Sequence, residues 1–596
     1  MNILLTAINA KYIHSNLAVY SLRACAGEYR DAVELAEYTI NNQKDYILEE
    51  LYKRKPDVLC FSCYIWNIDY VTDIAREYKK LCPSVPIWVG GPEVSYEVEA
   101  FLRENPYIDG VMIGEGEDTF RELCGYYAHQ KRLIDIVGIA FRKKSADGKA
   151  GEIVFTSPRP IKNMSEIPFC YDTLDDFSNR IIYYESSRGC PFSCSYCLSS
   201  VDKTLRFRDT EIVKRELKFF IDQKVPQIKF VDRTFNCNHA HAMELWRFIK
   251  ANDNGVTNFH FEISADLLNQ EELELISDMR PGLIQLEIGV QSTNEVTIKE
   301  IHRTMKLERL KEVVRLIQSG NNIHEHLDLI AGLPYEDYDS FGRSFDEIYE
   351  LKPNQLQLGF LKVLKGSYMF EHAAEYGIVY HDKPPYEVMS TKWLSFDDVI
   401  KIKRVEDMLE VYYNSGQFEI TMKLMECIFD SAFEFFQELG DFYEANGYFG
   451  MSHSRIRRCE ILLEFLALYL HGCDSDAMTS VGLFENHGDR DNTDFDENAQ
   501  IYSMIQESLI FDLYYRENCK SRPRWATDIG SFKHMTHAYC KNGKLSHVEP
   551  FHYIFPYKHM RKLDELPKYH KEPVWALFHY DMRDPLDHQA LVEYVE

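Results

Sequence analysis

Three cysteines stand close together near the middle of the chain, in the run SRGCPFSCSYC. Cys190, Cys194 and Cys197 are separated by three and then by two residues. Thiolates at this spacing on one short loop can bind three corners of a four-iron, four-sulfur (4Fe-4S) cluster, because thiolate is the ordinary protein ligand of such clusters. Zinc normally needs a fourth Cys or His nearby, and the run lacks one. The motif therefore predicts a cluster in which one iron stays open to another ligand.

The cysteine run directly follows the first of six strand-like runs that alternate with helical patterns. The six runs are 181–185, 227–231, 259–264, 284–290, 326–331 and 355–361. This alternation predicts a parallel, partial (β/α)6 barrel over residues 181–400, whose chemistry lies at the carboxyl ends of its strands. We therefore expect the three cysteines at the mouth of the barrel.

Residues 1–150 carry a second alternating pattern, which predicts a Rossmann-like, doubly wound parallel sheet. Ligands of such sheets bind beyond the carboxyl ends of the strands. Polar, aromatic and glycine residues follow the predicted strands, although glycine there is also typical of an ordinary turn. The candidate binding residues are Asn9, Ser62, Tyr64, Trp66, Gly90, Gly91, Gly114, Glu115 and Gly116.

The rest of the chain carries no chemical motif. Residues 151–180, with three prolines, are predicted to be a linker. Residues 401–596 predict a mostly helical α+β domain, rich in Tyr and Phe, with strand-like runs near its end and a short final helix. The acidic stretch 473–498 is predicted to be a loop. The architecture is therefore α/β, with three domains.

Composition restricts the function further. The 596 residues carry a formal charge of −27 and are 45% hydrophobic, which is typical of a globular protein and makes nucleic acid an improbable partner. The chain has neither 18 consecutive apolar residues nor a basic leader, so we expect no membrane span and a cytoplasmic location. Fifteen scattered cysteines are read as mostly free thiols.

The cysteine run resembles the signature of the radical S-adenosylmethionine (SAM) superfamily, over about residues 180–400. The resemblance implies that the open iron chelates SAM and that reductive cleavage yields a 5′-deoxyadenosyl radical. Segments 286–292 and 328–334 resemble the fourth and fifth strand motifs of that superfamily, whereas 230–235 departs from its common Gly-Gly-Glu. The implied SAM-binding residues are Tyr196, Asp232, Glu262, Glu287, Gln291 and Ile330.

An open α/β sheet ahead of this barrel resembles the cobalamin-binding domain of class B radical SAM enzymes. Residues 90–91 and 114–117 match that group, and the whole chain resembles an uncharacterised bacterial group with its own C-terminal extension. The Asp-x-His-x-x-Gly signature of His-ligated cobalamin proteins is absent, and His14 is the only histidine in the first loop. The resemblance therefore implies cobalamin whose cobalt has no protein histidine below it.

The implied activity is methylation of an unactivated carbon in an unknown small-molecule or peptide substrate, with electrons from a donor such as flavodoxin or ferredoxin. A cobalamin-dependent rearrangement, cyclisation or reduction without methyl transfer is an alternative. A non-catalytic cobalamin or redox sensor is another. A methylthiotransferase would need a basic RNA-binding tail and a second cluster, for which the available cysteines are Cys25, Cys60, Cys63, Cys82 and Cys124.

The gap between the two strand-end faces should hold the substrate, and radicals there must be kept from water. Residues 401–596 are the only unassigned part of the chain large enough to cover that gap. We therefore expect this region to pack over it and to select the substrate, with remote dimerisation as the alternative role.

Overall fold

The structure is a computed structural model that describes residues 1–143, 151–471, 497–540, 545–555 and 566–595. Most of the acidic stretch that is predicted to be a loop lies outside these residues. No helix among them is both long and apolar enough to cross a membrane.

The N-terminal part forms a seven-stranded sheet with the strand order β2-β1-β3-β4-β5-β6-β7. The strands are β1 (Ile3–Asn9), β2 (Val33–Thr39), β3 (Val58–Ser62), β4 (Ile87–Gly90), β5 (Gly110–Met112), β6 (Ile139–Arg142) and β7 (Ile153–Phe155). The first five are parallel, β6 pairs antiparallel with β5, and β7 pairs antiparallel with β6. The sheet is thus not wholly parallel, and β7 comes from the segment predicted to be a linker.

Helices cover this sheet: α1 (Leu17–Cys25), α2 (Lys44–Arg54), α3 (Ile68–Leu81), α4 (Val98–Glu104) and α5 (Glu117–Tyr127). Every residue of β1 is buried, as expected for a parallel strand with helices on both faces. The chain moves outward in opposite directions from β1 and β3, so a crevice opens beyond their carboxyl ends. Asn9 and Ser62 end these two strands.

The predicted barrel is confirmed as a six-stranded parallel sheet with the order β15-β14-β13-β12-β11-β8. Its strands are β8 (Ile182–Tyr184), β11 (Gln227–Phe230), β12 (Asn258–Ile263), β13 (Ile284–Gln291), β14 (His324–Ala331) and β15 (Gln355–Phe360). A separate short pair follows the first of them, β9 (Ser187–Arg188) and β10 (Arg206–Phe207). The helices are α6 (Thr210–Asp222), α7 (His239–Ala251), α8 (Gln270–Ser277), α9 (Glu295–Glu300), α10 (Leu307–Ser319) and α11 (Tyr338–Tyr349).

Residues 361–395, here called the bridging segment, follow the last barrel strand. They contain α12 (Tyr368–His372) and the pair β16 (Val379–Tyr380) and β17 (Val388–Ser390). The Tyr386 hydroxyl donates a hydrogen bond to Glu93 of the N-terminal sheet. The backbone N–H of Met369 donates to the carbonyl of Ser195, within the cysteine motif, at 2.9 Å. This segment thus connects the N-terminal sheet with the cysteine loop.

The C-terminal region contains helices and a three-stranded antiparallel sheet. Its elements are α13 (Phe396–Leu409), α14 (Glu419–Met425), α15 (Ala432–Ala445), α16 (Arg455–His471), α17 (Glu497–Arg516), α18 (Lys533–Tyr539), β18 (Ser546–Tyr553), β19 (Tyr569–Arg583) and β20 (Ala590–Val595). The prediction of a short final helix is wrong, because the strand β20 occupies that position. β20 pairs with β19, and its alternate residues Ala590 and Val592 are buried.

The C-terminal region packs on the outer surface of the barrel and against its amino-terminal end. The Phe433 ring of α15 lies 5.5 Å from the Phe345 ring of the outer helix α11. The Asn414 side chain exchanges two hydrogen bonds with the backbone of Leu356, the second residue of β15, at the amino-terminal end of the barrel. The predicted cover over the gap is wrong for the residues that the structure describes, because none of those in 401–595 lines the space between the two strand-end faces.

Candidate functional site

A cavity of about 770 Å³ opens between the carboxyl edge of the N-terminal sheet and the barrel. All nine candidate residues chosen from the strand ends line it. Ser187, Arg188 and Gly189, which directly precede the first motif cysteine, line it as well. Its volume falls in the range of about 300–1,000 Å³ that is usual for cofactor and ligand pockets. The two strand-end faces thus share one space.

Glycines form one wall of this cavity, and both Gly91 and Gly114 have a positive φ. Gly91 has φ +119°, and a Cβ on it would collide with the carbonyl oxygen of Cys63. Gly114 has φ +76°, and no heavy atom lies within 4 Å of the place where its Cβ would be. The backbone at Gly114 therefore faces open space, which a bound molecule can approach closely.

Aromatic rings form another wall. The rings of Tyr64 and Trp66 are stacked, with centroids 4.4 Å apart and planes inclined by 7°. The indole N–H of Trp66 donates to the carbonyl of Ile8 at 3.1 Å, which fixes the ring against the end of β1. Trp66 is nevertheless 41% exposed. The pair is thus a rigid, flat surface suited to a planar ligand.

His14 lines the cavity, but it is already engaged with the barrel. Its Nδ1 lies 2.7 Å from the hydroxyl of Tyr183 in β8. Burial, with a smaller effect from Lys11, lowers the pKa of His14. The ring is therefore largely neutral at pH 7 and connects the N-terminal loop to the first barrel strand.

Arg188 ties the cavity to the cysteine motif. Its guanidinium lies 2.5 Å from Glu117, 2.9 Å from Glu185 and 3.4 Å from Glu115. Burial alone would lower the pKa of Arg188, but the carboxylates of Glu185 and Glu117 raise it above the ordinary value. Since Glu115 and Glu117 belong to the glycine loop after β5, one side chain connects the two halves of the site.

The three motif cysteines lie together at the mouth of the barrel. Cys190 and Cys194 are buried, and Cys197 is partly exposed. The backbone N–H of Cys197 donates to the carbonyl of Cys194 at 3.2 Å. A set of three thiols on one tight loop fits an iron-sulfur cluster.

Two further groups beside these thiols were not predicted from the sequence. The Arg303 guanidinium lies 3.9 Å from the Cys194 sulfur and 3.3 Å from the Tyr196 hydroxyl. Its positive charge suits a thiolate-bound, anionic cluster. Cys237 is close enough that the negative charge of Cys190, after burial, contributes to raising its pKa to about 11. Neither residue lies in a recognisable motif; only the three-dimensional fold brings them to the loop.

The predicted SAM-binding residues occupy different environments. Tyr196 contacts Arg303, and the Gln291 amide lies beside Gly289, whose carbonyl accepts a hydrogen bond from Arg303. Gln291 has φ +79° at a β-bulge, a strained conformation that is common at functional sites. These two residues therefore belong to the surroundings of the cysteines. Ile330 lies near the carboxyl end of β14 and is partly exposed.

Asp232 does not occupy the position expected of a SAM contact. Its side chain is 1% exposed and accepts hydrogen bonds from the Ser186 backbone at 2.8 Å and the Ser187 hydroxyl at 2.7 Å. Burial raises its pKa to about 6, against the effect of these serines. The carboxylate thus holds the strand that leads into the cysteine motif and is not exposed to a ligand. The predicted direct contact between Asp232 and SAM is therefore not supported by its position.

Glu262 and Glu287 point into the lumen of the barrel. The Glu287 carboxylate lies 2.8 Å from the Lys229 ammonium and 3.0 Å from Nε2 of His260. Burial alone would raise the pKa of Glu287, but His260 and Lys229 hold it well below the ordinary value. Burial raises the pKa of Glu262 to about 7, and Arg233 opposes the change.

The cysteines of the N-terminal part do not form a second cluster site among the residues that the structure describes. Cys60 and Cys124 are buried in one hydrophobic core and Cys63 in another. Burial raises the pKa of Cys124 to about 12. These thiols are therefore core residues, which argues against the methylthiotransferase alternative.

Comparisons with family models agree with this division of the chain. Residues 3–124 match the B12 binding domain, and residues 184–348 match the radical SAM superfamily. Residues 374–591 match a family described as protein of unknown function (DUF4080). The two predicted cofactor domains are thus confirmed, and the third region has no assigned activity.

Several known proteins are similar to parts of the chain. The cobalamin-dependent radical SAM methyltransferase TokK of Streptomyces tokunonensis is 27% identical over 350 residues, which cover 55% of this chain and 49% of TokK. An anaerobic magnesium-protoporphyrin IX monomethyl ester cyclase of Rubrivivax gelatinosus is 23% identical over 344 residues, covering 55% of this chain and 60% of the cyclase. The chain thus spans about half the length of TokK.

A solved structure shares the fold over most of the chain. The cobalamin-dependent S-adenosylmethionine radical enzyme OxsB, with aqua-cobalamin and S-adenosylmethionine bound, matches with a TM-score of 0.53 at 15% identity. The match covers 86% of this chain and 79% of OxsB. At that identity the likeness concerns the fold.

Proposed function

We propose that this chain, which joins a B12-binding domain to a radical SAM domain, is a cobalamin-dependent radical SAM enzyme that methylates an unactivated carbon. The observation that carries the proposal is the single cavity lined both by the nine strand-end residues and by the residues that lead into the cysteine motif. Methyl transfer needs the two cofactors to face one space, because reacting groups must be held close and aligned.

Each half of the site has a part in this proposal. Cys190, Cys194 and Cys197 hold the cluster, Tyr196, Gln291 and Ile330 contact SAM, and the glycine and aromatic walls hold cobalamin. When bound, the cluster and SAM supply a radical that removes a substrate hydrogen atom, and cobalamin supplies the methyl group. The chain positions these groups and excludes water from them. The cluster requires an external one-electron donor, for which a flavodoxin or ferredoxin is suitable.

The test uses the full-length protein, reconstituted without oxygen with iron, sulfide, cobalamin and a reductant. Given SAM with a deuterated methyl group, it should transfer label to cobalamin and should form 5′-deoxyadenosine. A product in which a trideuterated methyl group replaces one hydrogen establishes methylation. Absence of both label transfer and deoxyadenosine would reject the enzyme in favour of a sensor.

A second candidate is a radical reaction without net methyl transfer. It is favoured by the similarity to the cyclase from Rubrivivax gelatinosus over 55% of this chain. In that case deoxyadenosine forms, while the product gains no methylene unit. The mass of the product thus separates the two candidates.

A further inference from the structure

The lumen of the barrel is lined with ionisable side chains. They come from alternate positions of four neighbouring strands: Lys229, His260, Glu262, Glu287, His326 and Asp328. The register places Glu262 opposite Glu287 and Glu287 opposite His326, so these three lie side by side at one level. A closed barrel of parallel strands usually fills this space with branched apolar residues. The lumen is therefore built for a polar occupant.

Most of these charges neutralise one another. Glu287 is paired with Lys229 and His260, as described above. Nε2 of His326 lies 3.1 Å from the Asp328 carboxylate. These ion pairs form a polar floor, within which Nε2 of His260, Nε2 of His326 and one Asp328 oxygen are buried without a hydrogen bond to any residue that the structure describes.

Glu262 and Arg233 are different. Among the residues that the structure describes, no group makes a hydrogen bond to the Glu262 carboxylate or to the Arg233 guanidinium. Glu262 is half-buried at the carboxyl end of β12, and Arg233 follows β11 at the rim of the lumen. The Arg233 charge acts on the Glu262 carboxylate, since it opposes the rise of the Glu262 pKa, but the two groups are not hydrogen-bonded to each other. Both groups therefore keep their hydrogen-bonding capacity for a ligand.

The position of this pair separates it from the cysteine side of the barrel. Arg233 lines the cavity that the nine strand-end residues line, whereas Tyr196, Gln291 and Arg303 surround the cysteines. Arg233 and Glu262 thus lie where the cobalamin cavity meets the lumen. In the proposed reaction, that junction is where the substrate must receive its methyl group.

We propose that the lumen binds a water-soluble zwitterion, with its cationic group on Glu262 and its carboxylate or phosphate on Arg233. This inference rests on the proposed function and assigns Glu262 to the substrate instead of to SAM. A sterol, a hydrocarbon chain or another lipid does not fit this site, because apolar surface would leave the Glu262 carboxylate and the Arg233 guanidinium without water or hydrogen-bonding partners. Amino acids, small peptides and amino sugars with an acidic group have the required chemistry.

In the first test, the reconstituted holoenzyme is incubated with methyl-deuterated SAM and, separately, with each of two extracts of the same bacterial cells. One extract holds the water-soluble metabolites and the other the lipids. We expect label in a compound that binds a cation exchanger at low pH and an anion exchanger at high pH. Label in the lipid extract, in an uncharged compound or in neither extract overturns the proposal. Failure of the function itself is distinct, since then neither labelled cobalamin nor deoxyadenosine forms.

The second test uses Glu262→Gln and Arg233→Gln, with Glu271→Gln on the exposed surface of α8 as the matched control. Removing one charge-assisted hydrogen bond should raise the KM for the labelled zwitterion about tenfold to a hundredfold. The control should leave that KM unchanged. If the two variants weaken SAM binding, measured by equilibrium dialysis, and leave the KM for the zwitterion unchanged, Glu262 and Arg233 belong to SAM and the proposal fails.

Discussion

The two halves of the site are lined by chemically different residues. The edge of the N-terminal sheet offers glycine backbone and a stacked Tyr64–Trp66 pair, with few charges facing the cavity. The barrel lumen offers carboxylates, histidines and a lysine. A backbone-and-ring surface selects a large ligand by shape, whereas a lumen of charges selects a small one by its ionic groups. Under the proposed function, cofactor and substrate are recognised by separate physical means.

Removing a cluster ligand should have the largest effect. Cys194→Ala should lose most of its iron and reduce SAM cleavage by more than about three orders of magnitude, because no other group reduces SAM. Iron content, visible absorption and deoxyadenosine formation measure the change. Cys427→Ala, at an exposed cysteine, is the control and should match the unchanged protein. Normal iron and cleavage in Cys194→Ala would refute the assignment.

Filling the glycine wall tests whether shape governs the cavity. Gly114→Ala places a methyl group in the open space of the cavity and should weaken cobalamin binding about tenfold or more, with iron content unchanged. Gly255→Ala is a matched control, because Gly255 has φ +74° and equally open surroundings outside the cavity. Cobalamin retained after desalting is the measurement. Equal retention in both variants would show that Gly114 is only a turn residue.

The ionic lumen should depend on pH. Glu287→Gln removes a carboxylate that pairs with Lys229 and His260, and should lower the free energy of unfolding by about 2 kcal/mol at pH 7. Because the folded pKa of Glu287 lies below 4.5, its contribution is complete above that pH and is lost as pH falls further. The difference in unfolding free energy between the unchanged protein and Glu287→Gln should therefore become smaller below about pH 4.5. Glu271→Gln is the control, and a constant difference would contradict this pairing.

The smallest effect is expected at His14. His14→Ala removes the hydrogen bond to Tyr183 and should cost about 1 kcal/mol of stability. Cobalamin retention should change less than about threefold, since the ring is already occupied by Tyr183 and is not proposed as a cobalt ligand. Complete loss of cobalamin in this variant, with its fold intact by circular dichroism, would instead identify His14 as the ligand below cobalt.

The cavity could be predicted from the sequence far better than the lumen. Residues such as Ser62 and Gly90 stand at strand ends, where the topology of a parallel sheet alone brings them together. Glu262 and Asp232 also stood near strand ends, but side-chain direction decides their roles: one enters the lumen and the other is covered by Ser186. Arg303 could not be foreseen, because the contact joins positions 109 residues apart.

The C-terminal region shows a different limit of sequence reasoning. Its size and aromatic content indicated a cover for the site, yet composition does not specify which face of a neighbour a helix contacts. The bridging segment makes contacts with Glu93 and with the cysteine loop that were expected of the C-terminal region. It carries no motif, and it was included in the predicted barrel because it follows the last strand.

The pairing of Arg188 with Glu115 and Glu117 offers a direct route for coupling between the two proposed cofactor sites. Each side chain of this contact belongs to a loop that one cofactor would order. Coupling between two sites is reciprocal. If an ordered glycine loop changes the free energy of cluster binding, an ordered cysteine loop changes the free energy of cobalamin binding by the same amount. The effect of cobalamin on cluster binding therefore equals the effect of the cluster on cobalamin binding, so that measuring one measures the other.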